Sequence, residues 1–462
     1  MNQSRQQSDS LGKVEVQAGA LWGPQTQRAV ANFAIGGEIM PLELIHALAR
    51  LKGCCAVVNA RLGRIDPVLA DAIDDAARQV AEGRHDSQFP LSIWQSGSGT
   101  QSHMNVNEVL ATLAAEHLGG RSVHPNDDVN LGQSSNDMVP SAIHLAALIA
   151  LQQRLFPPLE ALCQTLAALA TRYERLIKLG RTHLQDAVPL TVGQEIGAWR
   201  SQLLLARAAI DATLPALRAL AVGGTAVGTG LNTHPDFGAR VCRELSARTG
   251  FDLVCAADRF AALAGHEALV ATHGALKVLA VAMNKVANDV RLLGSGPRAG
   301  LGELLLPANE PGSSIMPGKV NPTQCESVAM VVCQVIGNDT ALTFGAANGH
   351  LQLNTYKPLI ASNLLRSIRL LGDSIASFDH MCMQGLQADT RRIGQLLGQS
   401  LMLVTALTPQ IGYDRAAEIA HKAHAEHLSL REAALALGVD ADDFDAWVRP
   451  ETMVGNIGQA PT

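Results

Sequence analysis

The sequence has no excess of positive charge: 36 Lys and Arg stand against 42 Asp and Glu, a net charge of -6. No basic field is available to hold nucleic acid or an anionic lipid surface, so any anion must be caught locally. Cysteine patterning is missing too. The 8 cysteines (Cys54, Cys55, Cys163, Cys242, Cys255, Cys325, Cys333, Cys382) are scattered, with no Cys-x-x-Cys or Cys/His ladder to suggest a zinc site or a disulfide framework, and they read as reduced, mostly buried thiols. The first residues, to about Leu11, lack the apolar centre of a signal peptide. Longer apolar stretches are broken by His, Lys or Asn before they reach spanning length, and a cytoplasmic location is the expectation. Aromatic residues make up only 3% of the chain.

What is present is a globular chain of 462 residues, 47% of them hydrophobic, long enough for two or three domains. Leu276, Leu279, Met283, Val286, Val290 and Leu293 alternate spacings of three and four, as in a helical seam. Ile196, Trp199, Leu203, Ala206 and Ile210 repeat the pattern, and Ala-rich segments recur from Ser141 to Arg172 and Leu353 to Ser377. This spacing predicts a mainly α architecture built on a long-helix bundle. Seams on helices this long call for partners, so a symmetric homo-oligomer is expected. Beyond about Arg392 the pattern stays helical but more charged, as in a small separate domain.

Polar loops rich in Gly, Ser, Thr and Asn interrupt the helical segments around Ser96, Ser134, Thr225 and Ser313. The most informative runs Glu310-Pro-Gly-Ser-Ser-Ile-Met-Pro-Gly-Lys-Val-Asn-Pro into a helical pattern from Thr323 that carries Glu326. It is not a phosphate loop: five residues separate Gly312 from Gly318, one too many, and Val320 stands where a magnesium-binding hydroxyl belongs. Ser313, Ser314, Lys319 and Asn321 instead supply hydroxyls, a charge and an amide able to grip a carboxylate, although a plain surface connection would use the same residue types. His183, in Gly180-Arg-Thr-His-Leu-Gln-Asp-Ala after what reads as a helical stretch ending in Lys178, has the side chain best suited to proton transfer near neutrality. A hydrogen-bonded structural role is its bland alternative. Ser96-Gly-Ser-Gly-Thr-Gln-Ser and Gln133-Ser-Ser-Asn-Asp each place small donors at a helix beginning, where free N–H groups and the dipole favour a dianion, or where the same residues merely cap. The first loop is not preceded by the apolar strand that a dinucleotide site requires.

Taken together these segments resemble the fumarase/aspartase superfamily, through Gly312-Ser-Ser-Ile-Met-Pro-Gly-Lys-Val-Asn321, Ser98-Gly-Thr100, His124-Pro-Asn-Asp127, Ser134-Ser-Asn136, Thr182-His183 and Gly223-Gly-Thr-Ala-Val-Gly-Thr-Gly230 in the family's order. Gly318 before Lys319, and Thr323-Gln-Cys-Glu after Pro322, look like the class II fumarase branch. The resemblance implies a three-domain, mainly α fold whose central long-helix bundle assembles into a tetramer core. The corresponding division is residues 1–133, 134–392 and 393–462. It implies active sites shared between subunits of a homotetramer, no cofactor and no metal, and reversible hydration of fumarate to L-malate, as in the tricarboxylic acid cycle, by anti addition through a C3 carbanion. Ser313 matches the family's base at C3, His183 the residue that activates or protonates water at C2, Glu326 its carboxylate partner, and Lys319 with Asn321 the groups that stabilise the extra charge. Ser98, Thr100, Arg121, Ser134, Ser135, Asn136, Thr182 and Ser314 match substrate-binding positions. His124, Asn126 and Asp127 resemble a secondary dicarboxylate site, or are simply a turn before a helix. Two residues depart from the pattern: His103 replaces an expected Asn, and Gln352 an expected Glu. Rival readings are an aspartase-like ammonia lyase, a mesaconate hydratase, and a catalytically silent structural homologue.

Overall fold

A computed structural model describes residues Ser4–Gly455. The chain opens with an antiparallel hairpin, β1 (Ser4–Asp9) and β2 (Gly12–Gln17), where the sequence promised only a polar segment. Helices follow: α1 (Pro24–Asn32), α2 (Leu42–Arg61), α3 (Pro67–Ala81), α4 (Thr100–His117), α5 (Ser135–Ala150) and α6 (Phe156–Arg172). The boundaries have local causes. Pro67 sits at the first position of α3, where its missing N–H costs nothing, and the Asp66 side chain accepts from Val68 N. A full capping box starts α5, with Ser134 and Asp137 satisfying each other's backbone donors.

After α6 the backbone turns to strands. The stretch leading to Lys178 is not helical: β3 (Ile177–Thr182) pairs antiparallel with β4 (Gln185–Thr191), with an irregularity between Leu179 and Arg181. The chain then returns to helix in α7 (Val192–Asp211) and in three longer helices, Glu267–Leu293, Thr323–Ala347 and Lys357–Phe378. Both seams expected from the sequence are buried, Ile196 to Ile210 in α7 and Leu276 to Leu293 in the Glu267–Leu293 helix. Two of the long helices, Glu267–Leu293 and Thr323–Ala347, have the length and composition to cross a membrane. Burial of the first one's seam is equally the signature of a core helix.

By internal contacts the chain divides into two units. The first comprises Met1–Pro157, Arg207–Ala280 and Val332–Asp373, and the second Pro158–Ala206, Val281–Val331 and Ser374–Thr462. In the first, α2 packs on α3 and α5, and α3 on α4. A sealed polar network joins three long helices there: His273 Nδ1 lies 3.0 Å from Asp339 Oδ1, its Nε2 lies 2.8 Å from Ser367 Oγ, and the Asn338 amide donates to that hydroxyl at 2.9 Å. In the second, Trp199 Nε1 donates to Asp289 Oδ2 at 2.9 Å. Leu407, Ile419, Ala433, Ala434 and Phe444 centre a separate C-terminal apolar cluster.

Candidate active site

In the first unit the hydroxyl-rich loops meet. Ser98 Oγ lies 3.0 Å from Ser96 Oγ and 2.7 Å from Thr100 Oγ1, and Thr100 Oγ1 lies 2.8 Å from Ser135 Oγ. This ladder joins the start of α4 to the start of α5, the two helix N-termini expected to face an anion. The Asn136 amide donates to Ala226 O at 2.9 Å, tying in the Gly223–Gly230 segment. Asp137, which sequence reasoning passed over, secures the arrangement. Its carboxylate is fully buried and accepts from Ser134 N at 3.0 Å, Gly223 N at 2.9 Å and Thr225 N at 3.1 Å. Burial raises its pKa to about 6 against the opposing pull of those N–H donors. Gly97 is a required glycine: a Cβ there would sit 1.4 Å from Thr355 O.

Arg121 and the turn that holds His124, Asn126 and Asp127 lie apart from this ladder in their bonding. Arg121 is exposed and paired with Asp66 at 3.0 Å. His124 is occupied within its own turn, where its Nδ1 accepts from Asp127 N at 3.0 Å while its backbone N–H donates to Asp128 Oδ2 at 2.7 Å. Asn126 belongs to the same turn, residues Pro125–Val129.

In the second unit, Thr182 ends β3 and His183 with Leu184 forms the two-residue loop to β4. Both loop residues have positive φ, 56° and 60°, the left-handed geometry of the hairpin turn that matches strand twist. Neither is Gly or Asn, so the turn is held under strain that the surrounding structure must support. That support is a buried charge network. Lys178 Nζ lies 2.7 Å from Glu195 and 2.8 Å from Glu303, and Arg181 lies 2.8 Å from the other Glu303 oxygen. The His183 side chain is exposed and makes no hydrogen bond within the described chain, and the same holds for the side chain of Glu326 in the first turn of its helix.

The Ser313 loop curls around a cavity of about 530 Å³ lined by Ser313, Ser314 and Lys319. Ser313 Oγ accepts from Met316 N at 2.9 Å and Ile315 N at 3.3 Å, so two backbone dipoles converge on one hydroxyl. Such donors favour the ionised form of the oxygen they face. Lys319 Nζ donates to Asn321 Oδ1 at 2.6 Å, and the Asn321 amide donates to Gly312 O, which folds the charge and the amide back onto the loop's start. Gly312 has φ 35°, and a Cβ there would meet Lys319 O at 1.9 Å, so the closure requires glycine. Thr323 Oγ1 donates to Glu310 Oε2 at 2.9 Å across the base.

Among the described residues no group of three or more His, Cys, Asp or Glu side chains is arranged to hold a metal ion. The chain matches the family model described as Lyase over residues 12–337 and that described as Fumarase C C-terminus over residues 403–455. A class II fumarate hydratase from Chromobacterium violaceum is 59% identical over 456 residues, 97% of this chain and 99% of that one. One from Nitrosomonas europaea is 56% identical, covering 98% of this chain and 99% of its own length. The crystal structure of a class II fumarase from Schistosoma mansoni superimposes with a TM-score of 0.96 at 45% identity, covering 98% of this chain and 99% of that one. Long-helix fold, hydroxyl-lined helix starts and signature loop thus agree with full-length likeness at high identity, and the chain belongs to the class II fumarate hydratase family.

Proposed function

We infer that the chain catalyses the reversible hydration of fumarate to L-malate, and that the residues brought forward by the sequence carry it out. The observation that carries this reading is the Ser313 hydroxyl held by two converging backbone N–H groups. In the malate-to-fumarate direction Ser313, ionised in that setting, takes the C3 proton, and the electron pair of the broken C–H bond passes into the adjoining carboxylate. Lys319 and Asn321 meet that added charge, where preorganised donors stabilise the transition state more than the bound substrate. The C2 hydroxyl then leaves as water, taking its proton from His183 through an ordered water while Glu326 holds the histidine. Ser98, Thr100, Ser134, Ser135, Asn136, Thr182 and Ser314 hold the carboxylates and the hydroxyl. Arg121 belongs to the same binding set, and His124, Asn126 and Asp127 form a secondary dicarboxylate site.

The unpartnered side chains of His183 and Glu326 favour a homotetramer in which neighbouring subunits complete each site, in the cytoplasm, with the chain divided at residues 133 and 392 into three domains. The deciding experiment follows ultraviolet absorbance of metal-free protein given L-malate, fumarate, L-aspartate and mesaconate in turn. Rapid interconversion of malate and fumarate with inert aspartate is expected. Activity on aspartate would place the chain with ammonia lyases, faster turnover of mesaconate would make it a mesaconate hydratase, and silence on all four would make it a structural homologue.

A further inference from the structure

Behind the Ser134-Ser135-Asn136 loop lies a buried polar cluster that the proposed chemistry does not use. Lys52, on α2, is fully buried; its Nζ donates to Gln133 Oε1 at 3.0 Å and lies 3.4 Å from His103 Nε2, on α4. His103 Nε2 also lies 2.7 Å from Asn130 Oδ1. The Asn130 amide donates to Gln133 O at 3.3 Å, and the Gln133 amide to Val129 O at 2.9 Å. Residues 130–133, which lead directly into Ser134, are therefore gripped from two helices.

The proton inventory of the cluster is unusual. His103 Nδ1 is buried without a partner. The Asn130 Oδ1 at 2.7 Å can only accept, so the imidazole hydrogen belongs on Nε2, donating to Asn130. A protonated Nε2 has no lone pair to offer Lys52, which leaves the ammonium one acceptor among the described residues, Gln133 Oε1. The ionisable groups facing it are Cys55 on its own helix, Asp137 on α5 and His103 on α4. Of these only Asp137 is a carboxylate, and its oxygens are already taken by three backbone N–H groups.

We propose that Lys52 is a positioning residue whose buried ammonium supports the Ser134-Ser135-Asn136 loop from behind and strengthens dianion binding there. The inference rests on the reading of that loop as a carboxylate clamp. A dianion in front of the loop favours the protonated amine, so binding weakens as the free enzyme loses that proton. Burial is the main cause that lowers the Lys52 pKa to about 7, which puts the loss near neutral pH. His103, standing where the family pattern has Asn, tunes it: an asparagine carbonyl would offer the ammonium a second acceptor in place of an N–H.

The test is the dependence of KM for fumarate on pH, from about 6 to 9, in wild type, S135A, K52M and H103N, with kcat measured alongside. Wild-type KM is expected to rise about fivefold above neutrality while kcat does not share that inflection. K52M should show a raised KM at the acid end and no such inflection, and H103N should move the inflection to higher pH. A wild-type profile in K52M, or an unmoved or lowered inflection in H103N, overturns the proposal, and H103N decides it alone if K52M does not assemble. Raised KM in S135A keeps the clamp reading whatever Lys52 does; unchanged KM in S135A removes the clamp and the inference together.

Discussion

Ser313 and Lys52 are opposite uses of the same physics. Ser313 is half-buried and its hydroxyl accepts from two backbone N–H groups, whereas Lys52 is a donor buried among too few acceptors. Ser313→Ala removes the base but none of the carboxylate-binding groups, so kcat should fall by about three orders of magnitude with KM changed little, as steady-state kinetics would read. Retained turnover would take Ser313 out of the mechanism. For Lys52 the linkage runs through stability. Its folded pKa, about 7, is below the ordinary lysine value of 10.5, so between these values the unfolded chain binds more protons and stability rises with pH. The burial penalty is present in full below about pH 7. Relative to wild type, K52M should therefore melt highest near pH 6 and lose that advantage toward pH 10, a trend that thermal melts across pH would detect. The Ser313 loop was legible in the sequence because its residues act on one another within ten positions. His103 stood out only as a departure from an expected Asn, and Lys52 and Asp137 not at all, because their partners lie far along the chain: Gln133 is 81 residues from Lys52, and Gly223 is 86 from Asp137. No local pattern separates a lysine with that task from one on a solvated face.

Among the elements, the helices were readable and the β3–β4 hairpin was not, for a reason visible in its burial. Period-two alternation reveals a strand only when one face is wet, and here Lys178, Leu179 and Gly180 are all buried in succession, with an irregular register beside them. A lysine inside the fold disguises the strand as the end of a helix. The same burial makes the hairpin dependent on Glu303, which is 1% exposed and faces both Lys178 and Arg181. Glu303→Gln would leave Lys178 with Glu195 alone and Arg181 without its carboxylate, and breaking such a network costs about 3–5 kcal/mol. The variant should melt many degrees lower, and because the strained His183-Leu184 turn sits at the tip of these strands, kcat should fall even at temperatures where the protein stays folded. A variant with wild-type melting and turnover would show that the turn holds itself.

At the scale of the whole molecule, the long helices carry more apolar surface than one chain covers. Met330 and Phe344 are each 68% exposed and Val281 57% exposed, on helices whose other faces are buried. Isolated exposed apolar residues mean little, but a series along the longest helices of a chain fits subunit contacts. The proposed homotetramer with shared sites makes a sharper claim than size alone, since it requires that His183 and Ser313 of one site come from different chains. Light scattering that finds a stable monomer would end it at once. If the tetramer stands, H183A and S313A, each nearly inactive, can be unfolded, mixed in equal amounts and refolded together. Random assembly of tetramers would then give about a quarter of the sites an intact His183 from one chain and an intact Ser313 from another. Turnover should recover to that fraction of wild type on mixing. If both residues of a site belong to one chain, every site inherits one defect or the other, and mixing restores nothing.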